Sequence, residues 1–281
     1  ASEQCGWCKD QYGLSWQVVP KNMEELMKRP NAFANLMQMK KIVIADYISE
    51  NFLKTIFSNF ENGAADNIPG YVCVLAMWAY SIGIYCDFSG YTDIAIGLSK
   101  LLGFDLNINF NSPYKAKNVG EFWKRWHISL STWLRDYLYI PLGGNRKGTI
   151  ASYLCLFLIY ILISLTFQRY LQMEWFMILF WLTGVSVILA ITGYVFKSFG
   201  NFMTTDMNLM ITMVLGGFWH GPTQNFITWG ALNGIALVVY KYWKRISPYE
   251  KSSFFLVNFW KIFLTFNFIT FTRIFFVFKH P

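Results

Sequence analysis

Apolar residues in this chain come in blocks long enough to cross a bilayer, separated by short polar stretches. Asn67–Cys86 is 20 residues without a charge, Gly148–Gln168 is 21 and Trp175–Phe196 is 22. A helix of that length rises about 30 Å, the thickness of the hydrocarbon layer. Met207–Tyr240 runs 34 residues without a formal charge, and Gly216, Gly217, His220, Gly221 and Pro222 interrupt it. It is too long for one crossing, so the pattern predicts two helices, 208–219 and 223–243, joined at a glycine-rich bend. A last run, Ser252–Phe278, is broken only by Lys261 and Arg273. Backbone in hydrocarbon must satisfy its own hydrogen bonds, which makes these segments helices.

The shorter segments fill in the rest. Residues 1–30 are polar and irregular and stay unassigned. Asn31–Phe60 reads as a helix at or entering the membrane, with apolar positions at Leu36, Met39, Ile42, Val43 and Ile44. The span Ile68–Cys86 ends at Asp87-Phe-Ser-Gly-Tyr-Thr-Asp93. A short helix, Ile94–Phe104, and a loop, Asp105–Lys117, follow. Val119–Tyr137 reads as one interfacial helix. Trp123, Trp126, Leu130, Trp133 and Tyr137 share one side, and Lys124, His127, Ser131 and Arg135 form a separate stripe. Pro141–Gly148 is a turn-rich basic loop. The expected fold is an all-α polytopic membrane domain over residues 31–281, cut from a longer protein.

Composition agrees with that pattern. Hydrophobic residues are 54% of the chain and charged residues 14%, against roughly 25% charged in ordinary soluble domains. Residues 151–281 hold three acids, Glu174, Asp206 and Glu250, too few to solvate the surface of a soluble fold. The formal charge of +8 does not point to nucleic acid, because no basic face is visible. Lys40, Lys41, Arg146, Lys147, Lys197, Lys241, Lys244 and Arg245 flank the apolar runs instead, as cytoplasmic loop ends do. Cys73, Cys86 and Cys155 lie in or beside spans and read as apolar filler. Cys5-Gly-Trp-Cys8 has redox or zinc-half-site spacing, but no second cysteine pair completes a site.

Candidate chemistry centres on histidine. His220 stands in Gly216-Gly-Phe-Trp-His-Gly-Pro222, and an ionisable side chain in an apolar run is a functional candidate by default. A core histidine bonded to a backbone carbonyl is the competing reading. The flanking glycines favour function by permitting close backbone approach. For His127, on a polar stripe, a solvated interfacial residue is the stronger reading. Asp87 and Asp93 suit helix capping or pairing with Arg125 or Arg135. Two histidines do not make a metal site.

At this point the residues resemble a known family. Tyr85–Gly97, with Asp-Phe-Ser-Gly-Tyr-Thr-Asp at its centre, is similar to a signature of the membrane-bound O-acyltransferases, in their alginate O-acetyltransferase branch. So are Glu121–Arg146, which contains Trp-His-Ile-Ser-Leu-Ser, and Gly216–Gly221 followed by Trp229-Gly230. Lys40–Asp46 and Thr265-Phe-Asn-Phe also fit. The resemblance implies a multi-helix bundle with interfacial and re-entrant helices in the bacterial inner membrane. It also implies His220 as the catalytic histidine and His127 as a second important polar position. The donor it implies is an acyl thioester such as acetyl-CoA, with no tightly bound cofactor. The acceptor is an exported polysaccharide or a secreted relay partner. The D-alanyl transfer branch shares the Trp-His-Gly pattern and competes for substrate. Between Asn145 and Gly216 the chain is longer than the family pattern by two apparent spans.

The chemistry also follows from the residues. Acyl transfer to a hydroxyl needs a base near neutral pH, which suits His220. Backbone amides of the bend Gly216–Gly221 are candidate oxyanion donors. Lys124, Arg125 and Arg146 suit the phosphates of a coenzyme A-type donor, and Ser131, Arg135, Asp87 and Asp93 complete the candidate substrate contacts. A transporter with His220 as a proton relay, and a nonenzymatic scaffold, remain rivals.

Overall fold

The computed structural model describes residues 7–9, 15–17, 40–63, 68–146, 149–150 and 205–277, with isolated positions between 154 and 191. The expected spans 148–168 and 175–196, and the expected helix before residue 40, lie largely outside the described residues. The chain divides into two compact units: residues 1–116, 123–129 and 266–273, and residues 117–122, 130–265 and 274–281.

In the first unit, β1 (Trp7–Lys9) pairs antiparallel with β2 (Ser15–Gln17), Cys8 opposite Trp16. These strands lie within residues 1–30, which the sequence left unassigned; every described element from residue 40 onward is helical, as expected over 31–281. Two strands of three residues are too short to show as an alternating run in sequence. Helix α1 (Lys40–Ile48) passes through a π-helical turn, Ser49–Leu53, into α2 (Lys54–Glu61). Leu53 and Ile56 are buried with Ala76, and Phe57 meets Tyr80 edge-on at 5.8 Å.

Helix α3 runs unbroken from Gly70 to Leu101. The expected stop at Asp87 and restart at Ile94 are therefore wrong, and the packing gives the reason. A Cβ on Gly90 would meet Ile42 Cγ1 at 2.9 Å, so this glycine admits α1 to the helix surface. Beside it, Lys41 Nζ donates to Asp93 Oδ2 at 2.7 Å, and Thr92 Oγ1 donates to the Phe88 carbonyl at 2.8 Å. The polar motif is satisfied from within a helix, so it does not end one.

In the second unit, α6 (Met207–His220) and α7 (Gln224–Ile246) form a tight hairpin across Gly221–Thr223. The expected break is where the structure has it. A Cβ on Gly217 would lie 2.2 Å from the Phe226 carbonyl oxygen, and one on Gly230 would lie 2.4 Å from that of Met213. Asp206, buried at the foot of α6, takes hydrogen bonds from Lys241 and Tyr242 of α7. Asn208 Nδ2 donates to the Gly144 carbonyl at 3.1 Å and ties the basic turn 141–146 to α6.

Between α3 and α6 lie α4 (Val119–Arg125), α5 (Ile128–Leu134) and a π-helical turn, Arg135–Tyr139. The single helix expected over Val119–Tyr137 is broken at Trp126-His127. The last run is α8 (Phe255–Thr272) and the single-turn α9 (Ile274–Val277), parted at Arg273. Among the described residues, two helical stretches, Gly70–Lys100 and Phe255–Val277, are long and apolar enough to cross a membrane.

Candidate functional site

His220 is the last residue of α6, half-buried, with Gly221 N–H closing the helix onto the Phe218 carbonyl at 3.1 Å. Its imidazole lies among rings of the same unit: Trp219 at 4.9 Å, Trp229 and Phe276 at 5.3 Å, and Phe226 at 6.1 Å. Phe276 also meets Phe226 and Trp229 edge-on, so α6, α7 and α9 close on the histidine together. The side chain thus stands at a helix end, half-buried among four aromatic rings.

The glycines do something other than expected. Residues 216–220 are helical, so their amides are engaged by helix carbonyls, and the Gly221 amide closes the cap. They do not form an oxyanion bend. Gly217 and Gly221 instead admit the backbone and ring of Phe226, since a Cβ on Gly221 would meet that ring at 2.6 Å. The close approach they permit is by α7.

His127 belongs to the first unit. It adopts φ +45°, one of two described non-glycine residues with positive φ, in the break between α4 and α5. Its ring meets Phe88 edge-on at 4.8 Å. Trp126, beside it, is buried among Tyr85, Phe110 and Tyr114 at 6.2, 4.9 and 6.3 Å. The Arg273 guanidinium stacks over Trp126 at 4.0 Å, donates to the Ser81 carbonyl at 3.1 Å and bonds to Tyr114 Oη. Tyr114 Oη in turn donates to the same carbonyl at 2.5 Å. Burial pushes the Tyr114 phenol up, with the Arg273 charge pulling it the other way.

The remaining candidates are scattered. Because α4 and α5 are separate, Lys124, His127, Ser131 and Arg135 do not form one continuous helical stripe. Lys124 is exposed, and Arg125 donates to the Asn111 carbonyl at 3.2 Å. Ser131 is half-buried on α5. Asp93 pairs with Lys41, and Arg135 with its neighbour Asp136 at 2.7 Å, so the expected partnering of the motif acids with Arg125 or Arg135 is corrected for Asp93. Asp87 is exposed on α3, and Arg146 closes the turn-rich loop through its amide to Gly143.

Sequence reasoning missed Arg273, Tyr114 and Asn109. Arg273 carried a usable signal, because a cation inside an apolar run needs partners. Asn109 carried none, since an asparagine in a polar loop is ordinary.

Comparison with known proteins bears on these residues. The model of the MBOAT, membrane-bound O-acyltransferase family, matches residues 36–188. A second model, 3-demethylubiquinone-9 3-methyltransferase, matches residues 1–19, the stretch that holds the hairpin. The peptidoglycan O-acetyltransferase of Helicobacter pylori is 33% identical over 237 residues, 84% of this chain and 33% of that protein. An aligned span of that share includes both His127 and His220 wherever it begins. A Pseudomonas fluorescens protein named "Probable alginate O-acetylase AlgI" is 39% identical over 167 residues, 59% of this chain and 23% of its own length. The teichoic acid D-alanyltransferase of Streptococcus thermophilus is 26% identical over 244 residues, 83% of this chain and 45% of that protein. This chain therefore spans a third or less of the first two relatives.

Proposed function

We propose, because this chain belongs to the membrane-bound O-acyltransferase family, that the full protein moves an acetyl group from a thioester donor such as acetyl-CoA to a hydroxyl of an exported polysaccharide, or to a relay partner that carries it there. The observation that carries the proposal is His220 at the end of α6 within its four-ring enclosure. The relatives named for acetyl transfer to peptidoglycan and alginate support the substrate class. The setting is a polytopic bundle in the bacterial inner membrane, reached by the donor from the cytoplasm and by the acceptor from the opposite face.

The step follows from acid–base chemistry. His220 accepts the proton of the acceptor hydroxyl as its oxygen attacks the thioester carbonyl. A carbon–oxygen bond forms, the carbon–sulfur bond breaks, and the proton passes from the imidazolium to the departing thiolate. His127, at positive φ and packed on Phe88, is the second residue proposed to act on the acceptor, by orienting it or by stabilising developing charge. Lys124, Arg125 and Arg146 are the cations proposed to meet donor phosphates, with Ser131, Arg135, Asp87 and Asp93 proposed as further substrate contacts.

D-alanyl transfer to a cell-wall polymer is the second reading, favoured by the teichoic acid D-alanyltransferase relative. The deciding experiment supplies radiolabelled acetyl-CoA to membranes holding the full-length parent, wild type or His220→Ala. Label reaching polysaccharide or a partner protein only with His220 present supports acetyl transfer. Equal labelling in a folded His220→Ala protein would sink the role of that histidine. Labelling in neither, with transfer of D-alanine from its carrier, selects the second reading.

A further inference from the structure

We propose that Asn109 is a positioning residue for His127: from a separate loop it holds open the break between α4 and α5 that puts the histidine at left-handed φ. The inference rests on the reading of His127 as a site residue. Its geometry stands on three hydrogen bonds. The Asn109 carbonyl accepts from Ile128 N–H at 3.0 Å, and its side-chain Oδ1 accepts from Ser129 N–H at 3.1 Å and from Ser129 Oγ at 3.0 Å. Asn109 therefore satisfies the first donors of α5, which would otherwise take the carbonyls of Lys124 and Arg125 and make one continuous helix.

That continuous helix is what the local residues favour. The tryptophan side and the cationic stripe over Val119–Tyr137 keep helical register straight through the break. Left-handed φ at a residue other than glycine is unfavourable in itself, so something outside the segment must hold it. The loop does so on both sides. Asn111 N–H donates to the Arg125 carbonyl at 2.9 Å, on the near side of His127, and Asn109 takes the far side. Phe110, between them, packs on Trp126 at 4.9 Å and on Phe88 at 5.0 Å, and Phe88 is the ring against His127. Asn109 is 9% exposed, so its carboxamide is fixed where water does not replace it.

Asp accepts the same two side-chain bonds as Asn, while Ala accepts neither. This separates positioning from bulk. In the full-length parent, reconstituted with labelled acetyl-CoA, Asn109→Ala is expected to lower kcat roughly ten- to hundredfold, with donor KM little changed. Asn109→Asp is expected to restore most of the loss. Hydrogen exchange of the peptide covering 127–131 is expected to rise several-fold in Asn109→Ala while other helices keep their protection. Wild-type kcat in Asn109→Ala, a loss that Asn109→Asp does not relieve, or unloading of the whole fold in exchange overturns the proposal. If His127→Ala itself transfers acetyl at the wild-type rate, the reading of His127 fails. The exchange measurement then decides separately whether Asn109 holds the break.

Discussion

At the scale of single residues, the polar groups that matter are those placed where the chain is most apolar. Arg273 is 5% exposed and lies over Trp126, with Ser81 and Tyr114 taking its hydrogen bonds. Lysine keeps the charge but neither the plane that stacks on indole nor the rigid fork of donors. Arg273→Lys is expected to cost about 2 kcal/mol, from the lost stacking and one lost bond, read as a lower thermal midpoint of the purified parent. An unchanged midpoint removes Arg273 from the structural role assigned here. Asp206 behaves differently. It is 1% exposed and ion-paired to Lys241, so Lys241→Ala leaves a buried carboxylate with the Tyr242 hydroxyl but no compensating charge, and is expected to cost about 3 kcal/mol. Replacing both residues with apolar ones of similar size is expected to recover much of that loss, which a double-mutant cycle of unfolding measurements checks.

At the scale of elements, glycine spacing decides how closely helices approach. Gly217→Ala pushes a methyl into the Phe226 carbonyl, and backbone on both sides leaves nothing to rotate away. The expected cost is about 3 kcal/mol, at the upper end of overpacking. Gly216→Ala is the control. Its Cβ would meet Leu134 Cδ1 at 3.1 Å, the far end of a flexible side chain, and about 1 kcal/mol or less is expected. Comparable melting of the two variants would show that α6 and α7 do not depend on this contact. The hairpin of α6 and α7 was legible because Gly221 and Pro222 interrupt an apolar run too long for one crossing. Helix α3 was misread because Ser89-Gly90 and two acids look like a helix end when α1, which fills the glycine notch and pairs Asp93, is not in view.

At the scale of the molecule, the exposed apolar side chains of α3 and α8 have no place in water. Tyr71 is 69% exposed and Phe255 75%, with Leu75, Leu256, Phe259 and Trp260 also outward on the same helices. Such faces suit hydrocarbon. The parent protein is expected to stay in the membrane pellet after alkaline carbonate extraction and to leave it only with detergent; release into the wash would contradict the reading of these helices as spans. Membrane class, the number of residues each apolar run can carry across and the family follow from the sequence alone, because hydropathy and long motif blocks are local properties. The candidacy of His220, whose role is a proposal, also rests on the sequence, since an ionisable group in an apolar run stands out without any structure. The tertiary structure alone decided that the Asp87–Asp93 motif is helical, that Val119–Tyr137 breaks at His127, and that the Gly216–Gly221 amides are not free donors. The first two depend on partners distant in sequence, Lys41 and Ile42 for the motif and Asn109 and Asn111 for the break. The third follows from α6 keeping its own hydrogen bonds through His220. Periodicity records what a segment prefers by itself, and at the first two places packing from another segment outweighs that preference.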